Sequence, residues 1–346
     1  MAAEYGMNHP SPSIESIRVR GQGRYAPGTP IGNTELKRLT GVEFDEARLE
    51  ARIGIRERHI ARLRGIDETT ADFATRAAQA ALGDAGVDPR DIDLVVVGTD
   101  TPEFVSPATA LLVQGRLQGG QRDTLSFDVG ASCAGFVTAL DAACRILSSD
   151  PALRFALVIG AYNMPAHLRP GDAFGWSMFA DGAAAFVLER REGSAYLASQ
   201  FLTDGTQWNY VGVYAGGTRR PVTQQVLEAN TWGLELLQRL PGDRNVKLWP
   251  PLVHRLLAKA GLAIGDIAHI LFTQINRSVI EEVMGILGMP MEKTTTIMHR
   301  YGYTGSACVP MAFCEAVEAG RIRRGDTVVL VASGAGLAVG ASALVY

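Results

Sequence analysis

Two stretches of this chain repeat one another at a fixed spacing, and that repetition limits the folds open to it more than any other feature. Leu82, Ala85, Gly86, Asp91 and Ile92 recur as Leu257, Ala260, Gly261, Asp266 and Ile267, an offset of 257 − 82 = 175. The same offset carries Cys133 onto Cys308, again at the start of a helical pattern. Farther on, residues 155–160 resemble 327–332, and residues 182–188 resemble 340–345. The offset falls to 172 and then to 158, as differing loop lengths produce. Four matches in one order imply a duplicated unit. Each copy reads strand, helix, strand, helix, strand, strand, which implies mixed sheets covered by helices and an α/β class. Two such halves pack most simply about a pseudo-twofold axis, with the helices that start near Cys133 and Ser306 at its centre.

The individual elements fit this plan. Residues 1–13 are polar and read as a mobile tail, and Ile14 to Val19 alternates as a first strand. Thr69 or Thr70 caps a helix through Ala85 with Gly86 as its stop, and Ala74, Ala77, Ala78 and Ala81 form a close-packing face. Asn33 or Thr34 opens a helix to Leu39, and Phe44 to Ile53 is expected to be a second. Leu94 to Val97 is apolar on both faces, as a covered central strand requires. The N-terminal unit is expected to span residues 14–195 and the C-terminal unit 196–346.

The stretch around Cys133 is where chemistry enters. A short run from Leu125 to Val129 ends in Gly130-Ala-Ser, Cys133 follows, and a helical pattern of Phe136, Leu140, Ala143 and Leu147 comes next. A helix start offers unpaired N–H groups and partial positive charge, so the expectation is a thiol with a lowered pKa. The competing reading is a small buried cysteine.

Composition removes other classes. A net charge of −3 leaves no general footprint for nucleic acid. The four cysteines lack metal-ligand spacing, so no metal site is expected, and they suggest a reducing, cytoplasmic setting. No apolar run reaches the roughly 20 residues of a membrane span, and the first ten residues lack a secretory pattern.

Five segments in order resemble one family. Gly54 to Ala61, Phe127 to Phe136 with its cysteine, Phe179-Ala-Asp-Gly-Ala183, Tyr301 to Pro310 and Gly334-Ala-Gly336 are similar to segments of the thiolase superfamily, most closely beta-ketoacyl-acyl carrier protein synthase III. The resemblance implies a five-layered αβαβα fold and a homodimer. It also implies a cysteine acylated from a coenzyme A or carrier-protein (phosphopantetheine) thioester, with no tightly bound cofactor. Carried over residue by residue, Cys133 is the nucleophile. The amides of Cys133 and Gly336 form the oxyanion hole. Asn276 keeps the family's entrance-channel asparagine. Arg52 matches the family's coenzyme-A-binding arginine in kind, whereas Arg48 stands in place of a tryptophan.

The sequence departs from the family at two positions. Thr273 stands where the family's histidine is expected, and Tyr303 where its asparagine is expected, between matching neighbours Gln274, Asn276, Gly302 and Thr304. A hydroxyl and a phenol each donate a hydrogen bond, but neither is a base near neutral pH. Loss of a positioned base or oxyanion donor costs about 10²- to 10⁴-fold. Malonyl condensation is therefore disfavoured relative to self-acylation. Three readings follow. The favoured one is an acyltransferase that passes the acyl group to a non-malonyl acceptor, as in secondary metabolism. The second is a condensing enzyme with a rearranged site built on Thr273 and Tyr303, and the third is a non-catalytic partner subunit. His167 and His299 are the candidates to replace the missing base, each weighed against a structural role.

Overall fold

The computed structural model describes residues 17–193 and 195–346. The expected tail, the first residues of the expected first strand and Ser194 of the expected connecting turn lie outside the described residues. The N-terminal sheet contains β1 (Ile17–Tyr25), β2 (Leu94–Gly98), β3 (Leu125–Val129), β4 (Phe155–Asn163) and β5 (Asp181–Arg190). Its order is β1-β5-β4-β2-β3. β2 is parallel to both β3 and β4, and β5 is antiparallel to β4 and to β1.

The C-terminal sheet repeats this order with β6 (Tyr196–Thr203), β7 (His269–Phe272), β8 (Thr327–Gly334) and β9 (Ala338–Val345), arranged β7-β8-β9-β6. A fifth strand is reduced to one parallel bridge between Ile270 and Thr294. Its counterpart in the first sheet is the β2–β3 pair Val95–Ser126, and 270 − 95 = 175. The internal repeat of the sequence is thus a repeat of strand order.

Helices divide into outer and central ones. α1 (Thr70–Ala85) covers β1, β4 and β5, and α3 (Arg244–Ala260) covers β6 and β9. α2 (Gly135–Ser149) and α4 (Cys308–Glu318) lie between the two sheets and touch both. This is the thiolase fold, αβαβα, with two related halves. Central strands β2 and β4 are buried along their whole length, as strands covered on both faces must be. The alanine face of α1 lets it approach β1 so closely that a Cβ at Gly23 would sit 2.3 Å from the Ala81 nitrogen.

Local expectations hold in most places. α1 starts from a Thr69–Asp72 capping box and stops at Gly86 with φ 62°. The helix expected over Phe44 to Ile53 differs: a single turn over Glu46–Arg48 runs into a π-helical turn over Leu49–Ile53. Only Leu49 is buried in these two turns, so no continuous apolar stripe enforces a regular helix there.

Candidate active site

The C-terminal ends of the parallel strands meet at the junction of the two halves, where α/β proteins commonly place their sites. Cys133 lies in a 3₁₀ turn, Ser132–Ala134, that feeds α2. It is 8 % exposed and lines a narrow, mainly apolar cavity of about 60 Å3. Met164, Phe174, Phe179, Tyr162 and Ile275 form much of its wall, and Asp100, Ser132, Arg244, Tyr303 and residues 333–335 also line it.

The loop after β8 is held directly on Cys133. A Cβ placed on Gly334 would lie 2.6 Å from the Cys133 nitrogen, so only glycine allows this approach. Gly336, two residues on, has φ +126°, a conformation that side chains rarely adopt.

Burial reverses the expected direction of the Cys133 pKa. Desolvation pushes the thiol up to about 12, and the nearby Asp100 carboxyl adds to this. Tyr303, Ser132 and Arg244 act the other way without cancelling it. The helix start alone was expected to favour the thiolate, but removal from water is the larger effect.

A chain of contacts leads away from the sulfur. Cys133 Sγ is 3.7 Å from Ser132 Oγ, and Ser132 Oγ donates to Asp100 Oδ2 at 2.9 Å. The other Asp100 oxygen is buried without a hydrogen-bond partner. Burial raises the Asp100 pKa. Ser132 has φ 48°, one of two described non-glycine residues at positive φ, and such backbone positions cluster at working sites.

Tyr303 is 1 % exposed, and its ring packs near Tyr162 and Phe179. Its hydroxyl is close enough to the Cys133 thiol to favour the thiolate, yet it forms no well-aligned hydrogen bond among the described residues. A buried phenol of this kind is a donor waiting for an acceptor.

The other sequence candidates fall in different places. Thr273 is fully buried and does not line the cavity. Its Oγ1 accepts the Ser333 amide at 2.8 Å, which fixes the strand end leading to Gly334. Thr273 thus lies behind the glycine loop, where it supports the Ser333 backbone. Asn276 caps helix Arg277–Ile286, with Oδ1 accepting from the Ser278 amide and hydroxyl at 3.0 and 2.9 Å. Arg48 and Arg52 are exposed on the irregular turns before Gly54.

Neither candidate base lines the cavity. His167 ends the 3₁₀ turn Met164–His167, half-buried, and His299 is exposed in the short helix Met298–Tyr301. No histidine lines the cavity among the described residues. Nor do they contain a group of three or more residues able to hold a metal ion.

Sequence reasoning missed Asp100, Ser132 and Arg244. Ser132 sat beside the cysteine without a role. Asp100 had one usable signal, its place just beyond the C-terminal end of a central parallel strand.

The 3-oxoacyl-[acyl-carrier-protein (ACP)] synthase III family model matches residues 127–205, and the model of its C-terminal region matches residues 257–346. The beta-ketoacyl-[acyl-carrier-protein] synthase III of Xanthomonas campestris pv. campestris is 35 % identical over 337 residues, covering 95 % of this chain and 98 % of that protein. That of Coxiella burnetii is 33 % identical over 327 residues, covering 94 % and 98 %. The crystal structure of 3-oxoacyl-[acyl-carrier-protein] synthase III from Aquifex aeolicus VF5 superposes with a TM-score of 0.83 at 30 % identity, over 95 % of this chain and all of that one. A priming beta-ketosynthase of the R1128 polyketide pathway superposes with 0.84 at 28 % identity, over 98 % of each chain. The chain belongs to the beta-ketoacyl-[acyl-carrier-protein] synthase III family of the thiolase superfamily.

Proposed function

We propose that this protein is an acyltransferase that takes an acyl group from a coenzyme A or carrier-protein thioester onto Cys133 and passes it to a non-malonyl acceptor. The observation that carries this reading is the path Cys133–Ser132–Asp100, which gives the buried thiol a base without histidine. The thiol proton moves to Ser132 Oγ as the Ser132 proton moves to Asp100 Oδ2. The thiolate then attacks the thioester carbonyl, a new S–C bond forms, and the departing thiol takes its proton back along the same path. An acceptor hydroxyl, amine or thiol reverses these steps.

The developing oxyanion is held by the amides of Cys133 and Gly336, with the Tyr303 phenol as a further donor. Thr273 acts as a positioning residue through Ser333. Arg48, Arg52 and Asn276 remain the proposed contacts for the donor's extended arm at the entrance. The volume of about 60 Å3 favours a short acyl group. A reaction of this kind suits secondary metabolism.

A homodimer fits the edge of β3, which pairs on one side only among the described residues, and the exposed Phe104, Val105 and Leu125. Family membership also favours a second reading, decarboxylating condensation with Tyr303 holding the enolate oxygen.

Intact-mass measurement after incubation with short acyl thioesters tests the first reading. An adduct on the wild type that is absent from Cys133→Ala is expected. Asp100→Asn is expected to slow its formation by about 10²-fold or more. No adduct on the wild type would overturn acyl transfer, and prompt carbon dioxide release from added malonyl thioester would favour condensation.

A further inference from the structure

Arg244 is the first residue of α3 and reaches the cavity beside the nucleophile. Its guanidinium makes no ion pair and no side-chain hydrogen bond among the described residues, while most arginines of the chain do one or the other. Its electrostatic neighbours are the Cys133 thiol and the Tyr303 phenol. Most of the remaining wall is apolar. Tyr303, 1 % exposed, presents an unpartnered hydroxyl to the same space. A permanent cation and an O–H donor thus converge on one small cavity, and among the described residues neither forms an ion pair or an aligned hydrogen bond with Asp100, the carboxylate in its wall. Planar, charged oxygen groups satisfy such a pair best, since a guanidinium forms parallel N–H···O bonds with a carboxylate.

We propose that Arg244 and Tyr303 form a subsite for a carboxylate on the reacting substrate, so that the acyl unit or its acceptor is anionic. This deepens the acyl-transfer reading and rests on it for the identity of the reaction. The phosphates of a thioester donor do not meet this requirement. An extended pantetheine arm separates them from the thioester, whereas Arg244 acts on the sulfur nucleophile itself. Two sources of the carboxylate share this chemistry: the far end of a dicarboxylic monothioester, or an amino or hydroxy acid acceptor.

Alkylation of Cys133 tests the subsite without requiring acyl transfer. Iodoacetate and 3-iodopropionate are compared with their amides, and adducts are quantified by peptide mass spectrometry. The wild type is expected to favour the acid of the better-fitting length. Arg244→Gln is expected to lower the acid-to-amide ratio by about tenfold, the step of one charge-assisted hydrogen bond. Arg244→Lys is expected to keep most of it. A ratio that Arg244→Gln leaves unchanged at both lengths overturns the proposal, whatever the acylation assays give. The source follows from two further arms. Succinyl- against butyryl-coenzyme A measures donor discrimination. Discharge of acetyl-Cys133 by β-alanine against β-alaninamide measures acceptor discrimination. Arg244-dependent preference for the acid in either arm supports the subsite, and its absence from both, with an acyl-enzyme demonstrably formed, overturns it. Absence of any acyl-enzyme overturns only the acyl-transfer reading.

Discussion

Cys133 and Cys308 occupy equivalent places in the two halves, each where a 3₁₀ turn meets a central helix, and their surroundings are opposite. Cys308 is fully buried, and its sulfur accepts the Gln274 amide at 3.4 Å. Cys133 opens onto a cavity and has a serine and a carboxylate in line behind it. At the 175-residue offset, Ser132 becomes Ala307 and Asp100 becomes Ile275. The duplication therefore supplies a thiol at both positions, and two neighbouring side chains decide which one has a proton acceptor. A helix start by itself does not separate the two.

The largest expected effect breaks this pair apart. Cys133→Ala is expected to abolish acyl-adduct formation, whereas Cys308→Ala keeps the rate within about twofold. The latter loses roughly 1 kcal/mol of packing, a fall in Tm of about 2–4 °C by thermal melt. Comparable loss of acylation in both variants would mean that the halves share the work.

A second expectation concerns the clamp on the nucleophile. Gly334→Ala forces a methyl group against the Cys133 nitrogen and should slow acylation by about 10²-fold, read by the same mass measurement, with only modest loss of stability. A tight glycine away from the sulfur makes the contrast: a Cβ on Gly160 would lie 2.6 Å from the Ser306 carbonyl oxygen, so Gly160→Ala should cost stability instead. Wild-type acylation by Gly334→Ala would remove the glycine loop from the site.

The smallest effect is a titration present in one half alone. Asp181 begins β5, is buried, and accepts the Ala61 amide at 2.8 Å; desolvation pushes its pKa up to about 8. Its counterpart by sequence is Val339. The native state therefore holds a proton that the unfolded chain loses near pH 4. Stability falls as pH rises from about 4 to 8 and levels off above that. Asp181→Asn should flatten this slope in urea midpoints measured from pH 5 to 9. An unchanged slope would place the titration elsewhere.

Much of the fold was legible because its signals are local or periodic. The alanine face of α1, the doubly apolar β2 and the repeat offset each follow from neighbouring residues. Of the residues in the wall of the candidate site, Cys133 and Tyr303 could be named from sequence because they sit in contiguous segments. Asp100 lies 33 positions from Cys133 and meets it through the parallel pairing of β2 with β3, whereas Arg244, 111 positions away, meets it only once the two halves pack together. Thr273 was placed correctly on its strand end, but its rotamer serves the Ser333 backbone, and no spacing rule foretells a rotamer. The Cys133 pKa failed for a related reason: helix position is visible in sequence, and desolvation is not.

The protonated resting state of Cys133 has a consequence for survival of the enzyme in the cell. Peroxides and adventitious electrophiles react with thiolates, not thiols, and oxidation proceeds through sulfenic toward irreversible sulfinic and sulfonic acids. A sulfur pushed up to about 12 is almost wholly S–H at neutral pH. On the proposed route, where it ionises only as a thioester docks and the proton moves through Ser132, such a thiol is chemically quiet between turnovers. The same burial that slows its chemistry makes it durable.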